Sequence, residues 1–130
     1  MRPRAHPIAV ILLGLIVITA QGCMVVAGAA MGAGGYAYVT GAVEQNVDAH
    51  YAELHGATLD ALRSDIRATV ISEDLGTEGS DIHAEAADGR AIKIKIEALT
   101  LRASHIRIRV GIIGDEPESL RILNATLKRI

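Results

Sequence analysis

The sequence predicts an α+β domain: a four-stranded antiparallel meander sheet with two helices packed on one face. Apolar and polar residues alternate in four segments between Ile66 and Ile112, which is typical of half-buried antiparallel strands. Apolar residues three and four positions apart precede and follow those segments, which indicates one helix on each side. An apolar run near the N-terminus stands outside this pattern and predicts a separate segment before the domain.

Composition limits the function classes. The 130 residues suit a single domain, and 13 Lys and Arg against 15 Asp and Glu give a net charge of −2. This near-neutral balance gives no electrostatic reason to expect a nucleic-acid partner. With no Trp, no Phe and three Tyr, the chain has few groups for base stacking. The single cysteine excludes an intrachain disulfide and a multi-cysteine metal site.

The N-terminal segment has the order of a secretory signal peptide. Arg2 and Arg4 precede an uninterrupted apolar run at residues 8–18, and small residues follow. A helix of that length covers only about 16 Å, less than the roughly 30 Å of a bilayer core.

The residues after this run point to a lipid anchor. Residues 19–23 read TAQGC and resemble the lipobox of bacterial lipoproteins. The resemblance implies cleavage between Gly22 and Cys23, a diacylglycerol on the Cys23 thiol and acylation of the new N-terminus. Several acyl chains together anchor a protein stably. The same resemblance implies the outer membrane, with the domain in the periplasm, because Met24 stands where Asp would favour the inner membrane. We expect no cofactor besides this covalent lipid.

A Gly/Ala-rich tract at residues 24–41 follows the cysteine and is interpreted as an apolar tether. Gly28 and Gly32, four residues apart, also fit close packing of helices in a membrane. Because residues 8–39 carry no Asp, Glu, Lys or Arg, a spanning N-terminal helix is an alternative. Residues 24–39 would then form a glycine-zipper-like scaffold that oligomerises.

The first helix of the domain is predicted from Ala42 to Asp65. Its buried stripe would consist of Val47, Tyr51, Leu54, Thr58 and Leu62. Gly56 is a weak point, since Gly in a helix costs roughly 1 kcal/mol relative to Ala. The predicted organisation is therefore a signal peptide at 1–22, the lipidated cysteine and tether at 23–41, and an α+β periplasmic domain at 42–130.

The strands are predicted at residues 66–71, 80–86, 92–97 and 105–112. A three-residue loop, Ala87 to Gly89 with Gly89 left-handed, keeps the apolar faces of the central hairpin aligned. This register pairs Ala84 with Ile92, Ile82 with Ile94, Asp81 with Lys95, and His83 with Lys93. The second helix starts near Asp115 and Pro117 and reaches Ile130, with a stripe of Leu120, Leu123, Leu127 and Ile130.

Taken together, these segments resemble a family of small bacterial lipoproteins known only as a domain of unknown function. The resemblance is carried by GYAYV at 35–39, AADG at 86–89, RIRVG at 107–111 and GDE at 114–116. It implies the envelope location and the α-β-β-β-β-α fold, and it brings no reaction.

No catalytic motif accompanies this pattern. The sequence lacks G-x-S-x-G, a P-loop and H-E-x-x-H, and His50 and His55 are five residues apart, which places them on different helix faces. We expect no enzyme and no metal site.

One surface is singled out. Lys93 and Lys95 are predicted to neighbour Arg107 and Arg109 on the open sheet face, with Asp81, Glu85 and Glu97 at the edges. We call these four cations the basic stripe. It is either a patch facing an anionic envelope polymer, headgroup or acidic protein, or a solvated face neutralised by its neighbours. The expected function is that of a membrane-anchored, non-catalytic binding or structural module.

Overall fold

A computed structural model of the protein describes residues 35–130. In this part of the chain six strands form one sheet, and two helices form a second layer on it. The elements are β1 (Ala37–Val39), β2 (Ala42–Val47), α1 (Tyr51–Ala61), β3 (Thr69–Leu75), β4 (Gly79–Glu85), β5 (Ala91–Ala98), β6 (Ser104–Val110) and α2 (Glu116–Leu127). The sheet order is β1-β2-β6-β5-β4-β3, and all neighbouring strands are antiparallel. Within this part of the chain no helix is both long and apolar enough to cross a bilayer.

The predicted meander is present as β3 to β6, and its central hairpin has the predicted register. Ala84 is opposite Ile92 and Asp81 is opposite Lys95. The loop has three residues between Ala86 and Arg90, and its last residue, Gly89, has a φ of +87°. Face alignment therefore decides the loop length, because a two-residue loop would put apolar residues opposite charged ones.

The sheet has two more strands than predicted, and the prediction of a helix from Ala42 is wrong for residues 42–47. Val43 and Val47 are four residues apart, a spacing that fits one helix face and also alternate positions of a strand. In the structure both face the core from β2, which pairs with β6. A two-residue turn with positive φ at Thr40 and Gly41 joins β1 to β2, as a type I′ hairpin requires. β1 thus places residues 37–39, assigned above to the tether, in the sheet.

Helix α1 begins later than predicted because His50 caps it. The His50 Nδ1 accepts a hydrogen bond from the backbone N–H of Ala52 at 3.2 Å. The predicted stripe is otherwise correct, since Leu54, Thr58 and Leu62 are fully buried. A π-helical turn, Leu62–Ile66, continues α1, which is why β3 starts at Thr69 instead of residue 66.

Helix α2 begins where the sequence predicts. Asp115 is its N-cap and accepts a hydrogen bond from the Glu118 N–H at 3.0 Å, with Pro117 in the first turn. Of its predicted stripe, Leu123 is buried, whereas Ile130 lies beyond the last turn and is 45% exposed. The helix ends at Leu127.

A row of branched side chains spans four strands and forms the centre of the core. Val43, Ile108, Ile94 and Ile82 stand opposite one another across β2, β6, β5 and β4, and none is more than 2% exposed. Both helices pack on this face of the sheet, α1 over β4 and β5 and α2 over β6 and β2. Neither helix packs on the other face, so among residues 35–130 that face is open and available for a site.

Two buried serines allow a test of hydrogen-bond satisfaction. Among the described residues the Ser119 hydroxyl in α2 has no partner, whereas the Ser104 hydroxyl donates to the Ala49 carbonyl at 2.7 Å. We expect Ser119→Ala to leave the free energy of unfolding unchanged or raise it, because no bond is lost. Ser104→Ala should lower it by about 1–3 kcal/mol, because a buried carbonyl loses its donor. Urea unfolding followed by circular dichroism measures both, and equal losses would contradict this assignment.

Candidate anion-binding face

The open sheet face brings the four residues of the basic stripe together. Strand alternation turns Lys93 and Lys95 of β5 and Arg107 and Arg109 of β6 away from the core. The ladder places Lys93 opposite Arg109 and Lys95 opposite Arg107. Side chains directly opposite on antiparallel strands interact, so each lysine and the arginine opposite it repel one another. A shallow pocket of about 270 Å³ lies among them, lined also by Asp81 and His83.

Arg107 is held by a carboxylate from β2. Its guanidinium donates to Glu44 Oε1 at 2.7 Å, and Glu44 also lies 3.7 Å from His105 Nε2. Sequence reasoning missed Glu44 because it assigned this residue to a helix. The alternation of residues 43–47 is the signal that could have placed Glu44 on the outer face.

Lys95 is neutralised within its own strand. Its amine lies 2.8 Å from Glu97 Oε1. The hydrogen bond with Glu97 and its negative charge raise the pKa of Lys95 above its ordinary value. The same hydrogen bond and the positive charge of Lys95 lower the pKa of Glu97. Both groups are therefore charged at neutral pH, and each reduces the field of the other.

The remaining two cations are less compensated. Within residues 35–130, Lys93 has no carboxylate within 4.0 Å, and its cross-strand neighbours are His83 and Arg109. Arg109 donates to the backbone carbonyl of Ile112 and not to a carboxylate. Glu85, expected to edge the stripe, is opposite Ala91. Within the described residues, Lys93 and Arg109 are therefore the two cations of the basic stripe that have no ion pair, and Asp81 lines the pocket beside them.

A second polar constellation, unnoticed in the sequence, lies beneath α1. The Ser80 hydroxyl is 2.9 Å from His55 Nδ1, and His55 Nε2 is 3.5 Å from Glu73 Oε2. Serine, histidine and a carboxylate in this order occur in hydrolases, where the serine must reach the substrate. Ser80 and His55 are only 4% and 7% exposed. The contacts join α1 to β4 and β3, so we assign them a structural role.

Other predicted sites fall outside this region. Cys23, Gly22 and the tract at 24–34 lie outside the described residues. Within residues 35–130, no three His, Cys, Asp or Glu side chains gather as metal ligands.

Comparison with known proteins gives a family but no activity. No curated protein matches the chain significantly. A family model described as "protein of unknown function (DUF3568)" matches residues 7–129, which is nearly the whole sequence. The chain therefore belongs to the DUF3568 family.

Proposed function

We propose that this protein is a lipid-anchored, non-catalytic module of the cell envelope that binds an anionic envelope component with its open sheet face. The observation that carries the binding role is the Lys93–Arg109 pair, two adjacent cations that line a shallow pocket. Neither has a carboxylate within 4.0 Å among the described residues. Two neighbouring cations on a rigid sheet attract and orient a group that carries negative charge.

Carboxylates elsewhere on this face support the same assignment. Glu44 fixes Arg107 and Glu97 fixes Lys95, so those two cations are held in place and partly neutralised. Surface pairs of this kind contribute little to folding stability. Their effect here is to confine the uncompensated charge to Lys93 and Arg109, beside the pocket.

The anchor rests on the sequence. The only cysteine, Cys23, directly follows a signal-like run and ends a segment resembling a lipobox. We propose that Cys23 carries the lipid, that Gly22 and Cys23 flank the cleavage site, and that the domain faces the periplasm from the outer membrane. A surface held on a membrane meets its partner at high effective concentration, so a modest affinity suffices.

Charge reversal tests the binding face. Lys93→Glu with Arg109→Glu is expected to weaken binding to isolated cell-wall sacculi or phosphatidylglycerol vesicles by about tenfold or more, because attraction becomes repulsion. Binding by the unaltered protein should also weaken with added salt. Co-sedimentation of the full-length protein measures both effects, and the probe that is bound identifies the class of partner.

A variant with the same change in net charge is the matched control. Arg63→Glu with Arg102→Glu alters two exposed cations away from the stripe. It should bind like the unaltered protein. Equal binding by the Lys93/Arg109 variant, or an equal loss in the control, would contradict a site on this face.

A further inference from the structure

Two adjacent isoleucines protrude from the loop between β6 and α2. Ile112 and Ile113 are 91% and 88% exposed. Single exposed apolar residues are common on soluble proteins, whereas a contiguous exposed apolar patch marks a site of contact with a protein or a membrane. Gly111 and Gly114 on either side have φ values of +76° and +97°, so the chain turns sharply around the pair.

The loop is held in place by its surroundings. The backbone at Ile113 and Gly114 packs directly against Gly41, with no space for a Cβ between them. The Arg109 guanidinium donates to the Ile112 carbonyl. The two isoleucine side chains are therefore presented on a fixed backbone.

Further apolar surface lies at the same end of the sheet. Val39, 45% exposed, precedes the turn that contacts the loop. We name Val39, Ile112 and Ile113 the apolar tip. Tyr36 and Tyr38, each about 40% exposed, are close in sequence to Val39. Tyrosine has an apolar body and a polar end and is frequent where protein meets the bilayer interface.

The N-terminal side of the chain joins the sheet at β1, which starts near the middle of the sheet, where Ala37 is opposite Glu44 and Glu44 is opposite Arg107, and runs toward this tip. Tyr36 Oη donates to Glu116 Oε1 at 2.9 Å, and Glu116 is the first residue of α2, two residues after Gly114. The 12 residues between Cys23 and Tyr36 can span at most about 43 Å, whatever their conformation. A lipid on Cys23 would thus hold the domain within reach of the bilayer, and the exposed apolar residues decide which part of it makes contact.

We propose that the apolar tip inserts into the headgroup–acyl boundary of the bilayer that holds the lipid anchor. The inference rests on the proposed membrane anchor and adds a second contact, which orients the domain. Apolar side chains at that depth bind by burying their surface, with no spanning segment. Leu99 and Leu101, 53% and 84% exposed in the loop between β5 and β6, lie at the opposite end of the sheet and would point away from the membrane.

The absence of tryptophan makes the test direct. The full-length protein carries no Trp, so Ile113→Trp introduces a single indole probe at the tip. The protein is extracted from its membrane and reconstituted in phosphatidylethanolamine–phosphatidylglycerol vesicles containing phosphatidylcholine brominated on its acyl chains. We expect a blue-shifted emission and about twofold quenching by the brominated lipid. Leu101→Trp is the matched control and should show neither effect.

Flotation of the vesicles, measured on the same samples, distinguishes failure of the tip insertion from failure of the lipid anchor. Flotation without quenching of the Ile113 probe overturns the tip insertion and leaves the anchor in place. Loss of flotation overturns both. A blue shift without quenching shows that the tip is buried against a second copy, and equal quenching at Leu101 shows the wrong orientation; either overturns the inference. Ile112→Trp serves as a second probe.

Discussion

Gly114→Ala is expected to lower the free energy of unfolding by about 2–4 kcal/mol, because of strain and overlap together. Gly114 has a φ of +97°, a conformation that L side chains rarely adopt. A Cβ there would overlap the carbonyl oxygen of Gly41 and lie 2.5 Å from its Cα. Since both contacts are with backbone, relief requires the β1–β2 turn and the loop after β6 to separate. Urea unfolding followed by circular dichroism measures the loss.

Gly56→Ala is the matched control for this change. Gly56 lies within α1, and a Cβ there would meet nothing within 4 Å. The same added methyl group should therefore raise stability by about 1 kcal/mol, through helix propensity alone. If the two variants shift stability in the same direction, the close packing of Gly41 on Gly114 is not a determinant of this fold.

The second large effect is expected at the centre of the core. Ile94→Ala should lower the free energy of unfolding by about 2–5 kcal/mol, from lost burial and the cavity left behind. Ile94 is 2% exposed and stands between Ile82 and Ile108 in the row across the sheet. Neighbours on both sides are themselves fixed in strands, so the cavity collapses poorly.

Two milder substitutions are the controls for the stability loss expected from Ile94→Ala. Ile94→Val removes one methyl group and should cost only about 0.5–1.5 kcal/mol. Ile71→Ala, at a 64% exposed position in the β-bulge of β3, should change stability by less than about 0.5 kcal/mol. A loss at Ile71 as large as that at Ile94 would contradict the placement of the core.

Much of the meander could be predicted because its determinants are local. In the β4–β5 hairpin, alternation fixes which side of each strand is buried, and only an odd loop length keeps Ile82 facing Ile94. The second helix was likewise predictable, since Asp115 and Pro117 mark its start within three residues.

The additional strands escaped prediction because their signal is ambiguous at short length. Six residues of β2 contain only two valines at a spacing common to helices and strands. Pairing with β6 decides between the two, and the partners Val43 and Ile108 lie far apart in sequence.

The candidate site was predictable only in part, because some of its contacts are local in sequence and others are not. The four cations lie on two consecutive strands, so their neighbourhood followed from a local hairpin. Glu44, which holds Arg107, is 63 residues away in sequence, and Ser80 is 25 residues from His55. Contacts of that range depend on topology, which periodicity alone does not specify.

The membrane anchor is the claim on which the envelope function depends, and the intact mass of the protein extracted from its native membrane tests it most directly. We expect a chain that begins at Cys23 and carries the added mass of a diacylglycerol and one further acyl group. An unmodified chain that begins at Met1 would contradict the lipid anchor.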